Sequence, residues 1–283
     1  SSSVLMAQIE KLPDDAKIIA TYGVHRLVDY QDEKYAQLYL DRLLDFVDFA
    51  PELINNISRY LALWMGFEDV IRVANLKTRA DRTVKITDEI RAVEGQIWYG
   101  HDYFHPRYEE FTDILPTSIG SAMANSKMWR TLCSPLFNKG RIIRPKTICG
   151  FLLLRLIAKL RVIRLKSLRY KTENRRILAW LALIKKVAAN NPDLAIELAQ
   201  CPRLIKGYGD THARGINRFS RIMAVVEQRR DDSEIVQMIA ELRDAALLSD
   251  AGTEFNNSLI DHNTEGLTGD DAQEGEFSWA GSS

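Results

Sequence analysis

Apolar residues recur at intervals of three and four along most of this chain, and that period constrains its fold more than any motif. Tyr35, Leu38, Tyr39, Leu43 and Phe46 follow the turn of an α-helix that opens at Asp32-Glu33. Leu53, Ile54, Ile57, Leu61, Trp64, Met65, Val70, Ile71 and Ala74 repeat the period in a third helix, which starts at Pro51, a residue suited to a first turn. An earlier helix opens on Pro13-Asp14-Asp15, with acids where the helix dipole favours them. The fold class expected is mainly α, an irregular multi-helix domain. One short strand or hairpin fits residues 96–104, where Gln96-Ile97-Trp98-Tyr99 turns extended between Gly95 and Gly100.

Residues 116–145 hold Gly120, Pro135 and Gly140 and few periodic positions, so they read as a long connection with at most one short helix. Helices are expected again from about Thr147 and Thr172, from Pro192, over 216–228 and over 233–248, with residues 207–215 as a loop. This gives an N-terminal helical subdomain over 1–130, a second over 131–260, and an acidic tail over 261–283 whose composition favours disorder. Trp64, Met65 and Trp180 fall at core spacing, and His25 is expected to be packed or capped.

Three scattered cysteines, Cys133, Cys149 and Cys201, make neither a fully paired disulfide framework nor a C-x-x-C pair. They suit a reducing compartment, and a cytoplasmic location is expected. The start of the chain has neither the basic region nor the apolar stretch of a signal peptide, and the absence of Met at position 1 is compatible with a piece of a longer polypeptide. The most apolar run, residues 148–165, is interrupted by Arg155, Lys159, Arg161 and Arg164, which excludes a membrane span of about 20 apolar residues.

Net charge is zero, yet the charges are segregated. Residues 1–120 carry 20 acids and 13 bases, residues 139–186 carry 15 bases and one acid, and residues 231–283 carry 13 acids and one base. Placed on one continuous helix, Arg155, Lys159, Lys166 and Arg169 share a narrow face, with Leu153, Leu156, Leu160 and Ile163 covering another. Such a stripe could meet phosphates. It equally describes an amphipathic helix whose long side chains skirt the core. The neutral chain and the lack of interleaved aromatics argue against nucleic acid.

The most function-like passage is Lys206-Gly207-Tyr208-Gly209-Asp210-Thr211-His212-Ala213-Arg214-Gly215. Its glycines permit positive φ and close backbone approach, and a helix start beyond it could offer N–H groups to an anion. It is not a dinucleotide fingerprint, because His212 stands at the third glycine position. Lys206, Gly207, Tyr208, Gly209, Asp210, Thr211, His212 and Arg214 are therefore read as a docking or ligand loop, against the plainer reading of an interhelical turn. No nucleophile with an evident base accompanies them, so no catalytic residue is assigned. His101 and His105 have helical spacing, but Gly100 and Pro106 flank them, and no metal site is assigned.

Four passages resemble a known family. Tyr22-Gly23-Val24-His25-Arg26-Leu27-Val28-Asp29-Tyr30 with Leu38-Tyr39-Leu40-Asp41-Arg42-Leu43 is the first. Tyr60-Leu61-Ala62-Leu63-Trp64-Met65 with Glu68-Asp69-Val70-Ile71-Arg72, then Ala179-Trp180-Leu181-Ala182-Leu183, then Arg203-Leu204-Ile205-Lys206-Gly207-Tyr208-Gly209-Asp210-Thr211-His212, follow in order. Over about residues 17–251 they resemble the C-terminal helical region of the indolepyruvate ferredoxin oxidoreductase beta subunit. The resemblance implies oxidative decarboxylation of an aryl pyruvate by the whole enzyme, with electrons passed to ferredoxin. It implies thiamine diphosphate and iron–sulfur clusters mainly on the alpha partner, a gamma-type domain upstream, and no cofactor or catalytic residue on this chain. His105-Pro106-Arg107 departs from the Lys-Pro-Gly turn expected there. The function expected is an accessory, assembly role without a complete active site. Two alternatives stay open. One is a free-standing helical module that uses the basic 139–186 region for an acidic partner or nucleic acid. The other, weaker, is a small-molecule enzyme built at residues 206–215.

Overall fold

The computed structural model describes residues 2–79, 108–137, 147–207, 209–249 and 251–267. Among the described residues the chain is mainly α, with fourteen α-helices, no strand, and one isolated bridge between Pro116 and Ser167. The hairpin expected near 96–104 lies outside the described residues, as do His101 and His105. In chain order the helices are α1 Ser2–Ile9, α2 Asp14–Tyr30, α3 Glu33–Leu44, α4 Pro51–Met65, α5 Val70–Lys77, α6 Tyr108–Asp113 and α7 Thr117–Ala124. There follow α8 Lys127–Phe137, α9 Ile148–Lys159, α10 Leu168–Ala188, α11 Pro192–Gln200, α12 Gly209–Arg229, α13 Ile235–Leu248 and α14 Thr253–Asp261. The chain divides into two compact units, residues 1–67 with 175–283, and residues 68–174.

In the first unit, α2 packs against α3 and α4, α4 against α11, and α13 against α11, α12 and α14. Side-chain caps set two of the starts. Asp32 accepts from the Tyr35 N–H at 2.9 Å, and Asn191 accepts from Leu194 N–H at 3.0 Å just before Pro192. Gly23 explains why α2 can lie so close to its neighbours. A Cβ there would sit 2.7 Å from the Tyr39 hydroxyl and 3.0 Å from Ala62 Cβ. The Tyr39 hydroxyl donates to the Ser58 carbonyl at 2.8 Å, and Tyr35 donates to Met65 at 3.0 Å. The aromatic centre joins Trp64 to Trp180 at 5.7 Å and to Phe219 edge-on at 5.0 Å, and the Trp180 indole N–H donates to the Leu198 carbonyl. Trp64, Met65 and Trp180 are thus core residues, as their spacing predicts. His25, expected to be packed or capped, is exposed on α2, because it falls on the face opposite Gly23 and Leu27.

In the second unit, α5 and α9 pack through the fully buried Ala74 and Leu154, flanked by Val70, Val73, Ile157 and Ala158. The third helix was expected to run to Ala74, but it ends at Met65. Gly66 closes it, and Asp69 caps a new helix by accepting from the Arg72 N–H at 2.5 Å. Residues 116–145 were expected to hold at most one short helix. The described part holds α7 and α8, with α7 starting directly after Pro116. Gly120 lets α7 approach the preceding turn, where a Cβ would lie 2.6 Å from the Thr112 carbonyl oxygen. Residues 108–137 accordingly lie within this unit.

Candidate functional site

The expected loop at 206–215 is largely helix. A 3₁₀ turn over Cys201–Leu204 leads into Gly207 and Gly209, which hold φ of +69° and +58°, a region that glycine enters without steric cost. Helix α12 then begins at Gly209, seven residues before the expected start at Ile216, with Asp210 in its first turn. Gly215 does not break the helix, because it is a packing requirement. A Cβ on it would meet the Leu204 carbonyl oxygen at 2.2 Å. Tyr208 lies outside the described residues. Asp210 is exposed and His212 is only 6% exposed. Residues two apart on a helix do not share a face, so the two side chains leave α12 in different directions.

The helix places Thr211, Arg214 and Arg218 at i, i+3 and i+7, on one face. Together with Lys206 from the preceding turn they line a shallow cleft of about 320 Å³ including its open mouth. Leu204, Gly215, Ala246 and Leu247 complete it. Arg218 is anchored through Nη1, which donates to the Ala246 carbonyl at 2.7 Å near the C-terminus of α13. Arg214 Nη2 donates to Thr211 Oγ1 at 3.3 Å. Among the described residues that line the cleft are three cations and one hydroxyl, and none of those described is a carboxylate, imidazole or thiol. Such a set can hold an anion but offers no nucleophile–base pair. Arg218 did not stand out in the sequence. Its signal was the four-residue step from Arg214, which is meaningful only once the helix reaches back to Gly209.

The expected basic face does not hold together on a single helix. Arg155 and Lys159 are exposed on α9, but residues Leu160–Lys166 form a 3₁₀ helix. Its three residues per turn break the 3.6-residue register before Lys166 and Arg169. Lys166 is exposed at the end of that segment, whereas Arg169 on α10 meets Glu173 at 3.3 Å and Asp113 at 3.7 Å. Leu153 and Leu156, placed by the sequence on a second face of that helix, are both exposed, and Leu154 is the buried residue. Arg164, which the sequence suggested only as an interruption, is 1% exposed. It donates from Nε to Asp69 Oδ2 at 2.8 Å and from Nη2 to Asp69 Oδ1 at 3.2 Å.

Among the described residues no group of three His, Cys, Asp or Glu side chains is placed to hold a metal ion, and no helix is long and apolar enough to cross a membrane. The cysteines differ sharply in character. Burial pushes the Cys201 thiol up to about 12, while Cys149 is exposed. The thiolate is the reactive form. A thiol reagent at pH 8 is therefore expected to modify Cys149 in the folded chain and Cys201 only at the rate of unfolding. Labelling of Cys201 as fast as Cys149, read by peptide mass, would contradict its placement.

Among curated proteins and among solved structures, none matches the chain. A family of unknown function (DUF6537) matches residues 16–225, from the start of α2 through most of α12, and the chain belongs to that family.

Proposed function

We propose that this chain is the accessory, assembly region of a 2-oxoacid ferredoxin oxidoreductase of the indolepyruvate type, docking to a thiamine-dependent catalytic partner and to a gamma-type domain upstream. Two things support the partner's identity: the resemblance, carried by four passages in order, and the framework role of the residues in them. Gly23, Tyr35, Tyr39, Trp64 and Trp180 set helix spacing and fill the core. In this reading thiamine diphosphate and the clusters belong to the partner, and the chain itself works in the cytoplasm.

The observation that carries the docking reading is the outer face of α9. Ile148, Leu152 and Leu156 are 80%, 60% and 63% exposed, and at successive four-residue steps they share one side of the helix. Arg155 and Lys159 fall on the same side. A contiguous apolar strip flanked by cations is the composition of a protein interface more than of a solvated helix. Leu152→Glu is expected to weaken co-purification with the thiamine-dependent subunit at least tenfold, about 1.4 kcal/mol, and to leave the melting temperature unchanged, since the side chain is already exposed. Unchanged association would end the docking reading.

The alternative, a free-standing module that takes an acidic partner or nucleic acid through residues 139–186, is weighed by the same variants. Nucleic-acid binding would fall with Arg155→Ala and Lys159→Ala, lose strength steeply with salt, and ignore Leu152→Glu. The burial of Arg164 and the internal ion pairs of Arg169 leave fewer cations for that role than the sequence suggests.

A further inference from the structure

We infer that the exposed face of α9 receives an acidic amphipathic helix of a partner protein, which sets apolar residues against Ile148, Leu152 and Leu156 and carboxylates against Arg155 and Lys159. The inference rests on the reading of α9 as a docking face and names the chemistry of what docks there. At four-residue steps α9 presents two parallel rows, one of Ile148, Leu152 and Leu156 and the next of Phe151, Arg155 and Lys159. All of these residues are exposed. The side of the helix away from them carries Leu154 and Ala158, which pack against Ala74 of α5.

Charge complementarity fixes the sign of the occupant. Among the described residues neither Arg155 nor Lys159 forms an ion pair, whereas Arg164 meets Asp69 and Arg169 meets Glu173 in the same unit. No acid stands between Lys139 and Thr172, so the surrounding stretch of chain offers none. Any protein that covers Leu152 and Leu156 also covers the cations beside them. A cation taken out of water is strongly unfavourable unless a carboxylate meets it. The spacing selects a helix. Two neighbouring rows of four-residue period bound a groove that takes such a row from another helix. Carboxylates one turn apart on that row reach Arg155 and Lys159 while its apolar neighbours meet Leu152 and Leu156. A lipid surface fits less well. A helix lying in a membrane interface has a cationic polar face opposite its apolar one, and on α9 that opposite side is turned to the core.

The test is titration of the full chain into a fluorescein-labelled synthetic helical peptide that carries one leucine row and one glutamate row at four-residue spacing, read by anisotropy. A counterpart peptide has lysine in place of each glutamate. Saturable binding of the glutamate peptide is expected. Leu152→Glu and the double variant Arg155→Glu/Lys159→Glu should each weaken it at least about tenfold. The double variant should instead take up the lysine peptide, which the unaltered chain refuses. All three positions are exposed, so an unchanged melting temperature is expected and separates lost contact from lost folding. Absence of saturation, equal binding of the two peptides, or full binding by the double variant would overturn the inference. So would tighter capture of the chain by phosphatidylserine vesicles than by the peptide, with release by Leu152→Glu, which would assign the face to lipid. Co-purification with the thiamine-dependent subunit keeps the two readings apart. Loss with Leu152→Glu but not with Arg155→Glu/Lys159→Glu leaves the docking face standing and removes the acidic helix.

Discussion

Replacing Arg164 by Ala is expected to cost the 68–174 unit about 3–5 kcal/mol, the usual penalty for stripping one partner from a buried ion pair. Arg164 and Asp69 are both almost fully enclosed, and their contact is two-pronged, at 2.8 and 3.2 Å. The same carboxylate caps α5 through the Arg72 N–H. One residue thus ties the 3₁₀ segment after α9 to the start of α5. Arg164→Ala leaves a buried carboxylate with only its backbone partner. Asp69→Ala leaves a buried guanidinium and also removes a helix cap worth about 0.5–2 kcal/mol. Arg164→Lys should recover little, because an ammonium cannot reproduce the fork. Arg164→Met with Asp69→Asn should recover most of the loss, since Asn keeps the cap and no charge remains buried. Residue-resolved hydrogen exchange with urea unfolding checks this. Protection should fall in α5 and α9 and persist in α2 to α4. A loss under about 1 kcal/mol would mean that the pair behaves as a solvated one.

That pair also marks where the sequence stopped being legible. The helices themselves, and the caps at Asp32, Thr147 and Asn191-Pro192, follow from local rules, and the structure has them. Trp64 and Trp180 are core for the reason their spacing suggests. Arg164 could not be read in this way. Its partner is 95 residues earlier, and a charge in an apolar run looks the same locally whether it is solvated or paired. The break at Leu160–Lys166 contains no Gly or Pro, so nothing local announces the change of register. The break at Gly66 had a signal, a glycine followed by Asp69 as a cap, but the apolar period on either side concealed it. At the candidate cleft the residue types were found and their geometry was not. Lys206, Thr211 and Arg214 do converge, whereas His212 turns inward and Arg218 joins from the next turn. The error came from reading glycines as loop punctuation, when one of them serves packing.

Gly215→Ala tests that last point, because the two readings of the glycine predict opposite signs. In an ordinary helix interior the change stabilises by about 1 kcal/mol, since alanine has the better propensity and loses less backbone entropy. Gly215 lies in the second turn of α12, so a free helix surface there would give that gain. Its Cβ, however, would be placed 2.2 Å from the Leu204 carbonyl oxygen, 3.1 Å from the Leu204 carbonyl carbon and 3.4 Å from Ile205 Cα. These are backbone atoms of a 3₁₀ turn that also buries Cys201 and Pro202, so no side chain can swing away to make room. Helix α12 must move off the turn, and the overpacking cost of about 1–3 kcal/mol should exceed the propensity gain. The displaced turn carries Leu204 and leads to Lys206, both on the cleft, so the cleft should change shape as stability falls. Gly207→Ala separates the two causes of glycine preference. Its φ of +69° strains an alanine by about 1–2 kcal/mol, yet its nearest contact, Thr211 Cγ2 at 3.4 Å, is ordinary. Gly207→Ala should therefore destabilise without shifting α12 against Leu204. A rise in melting temperature for Gly215→Ala would show that the close approach of α12 to the Leu204 carbonyl does not exist in solution.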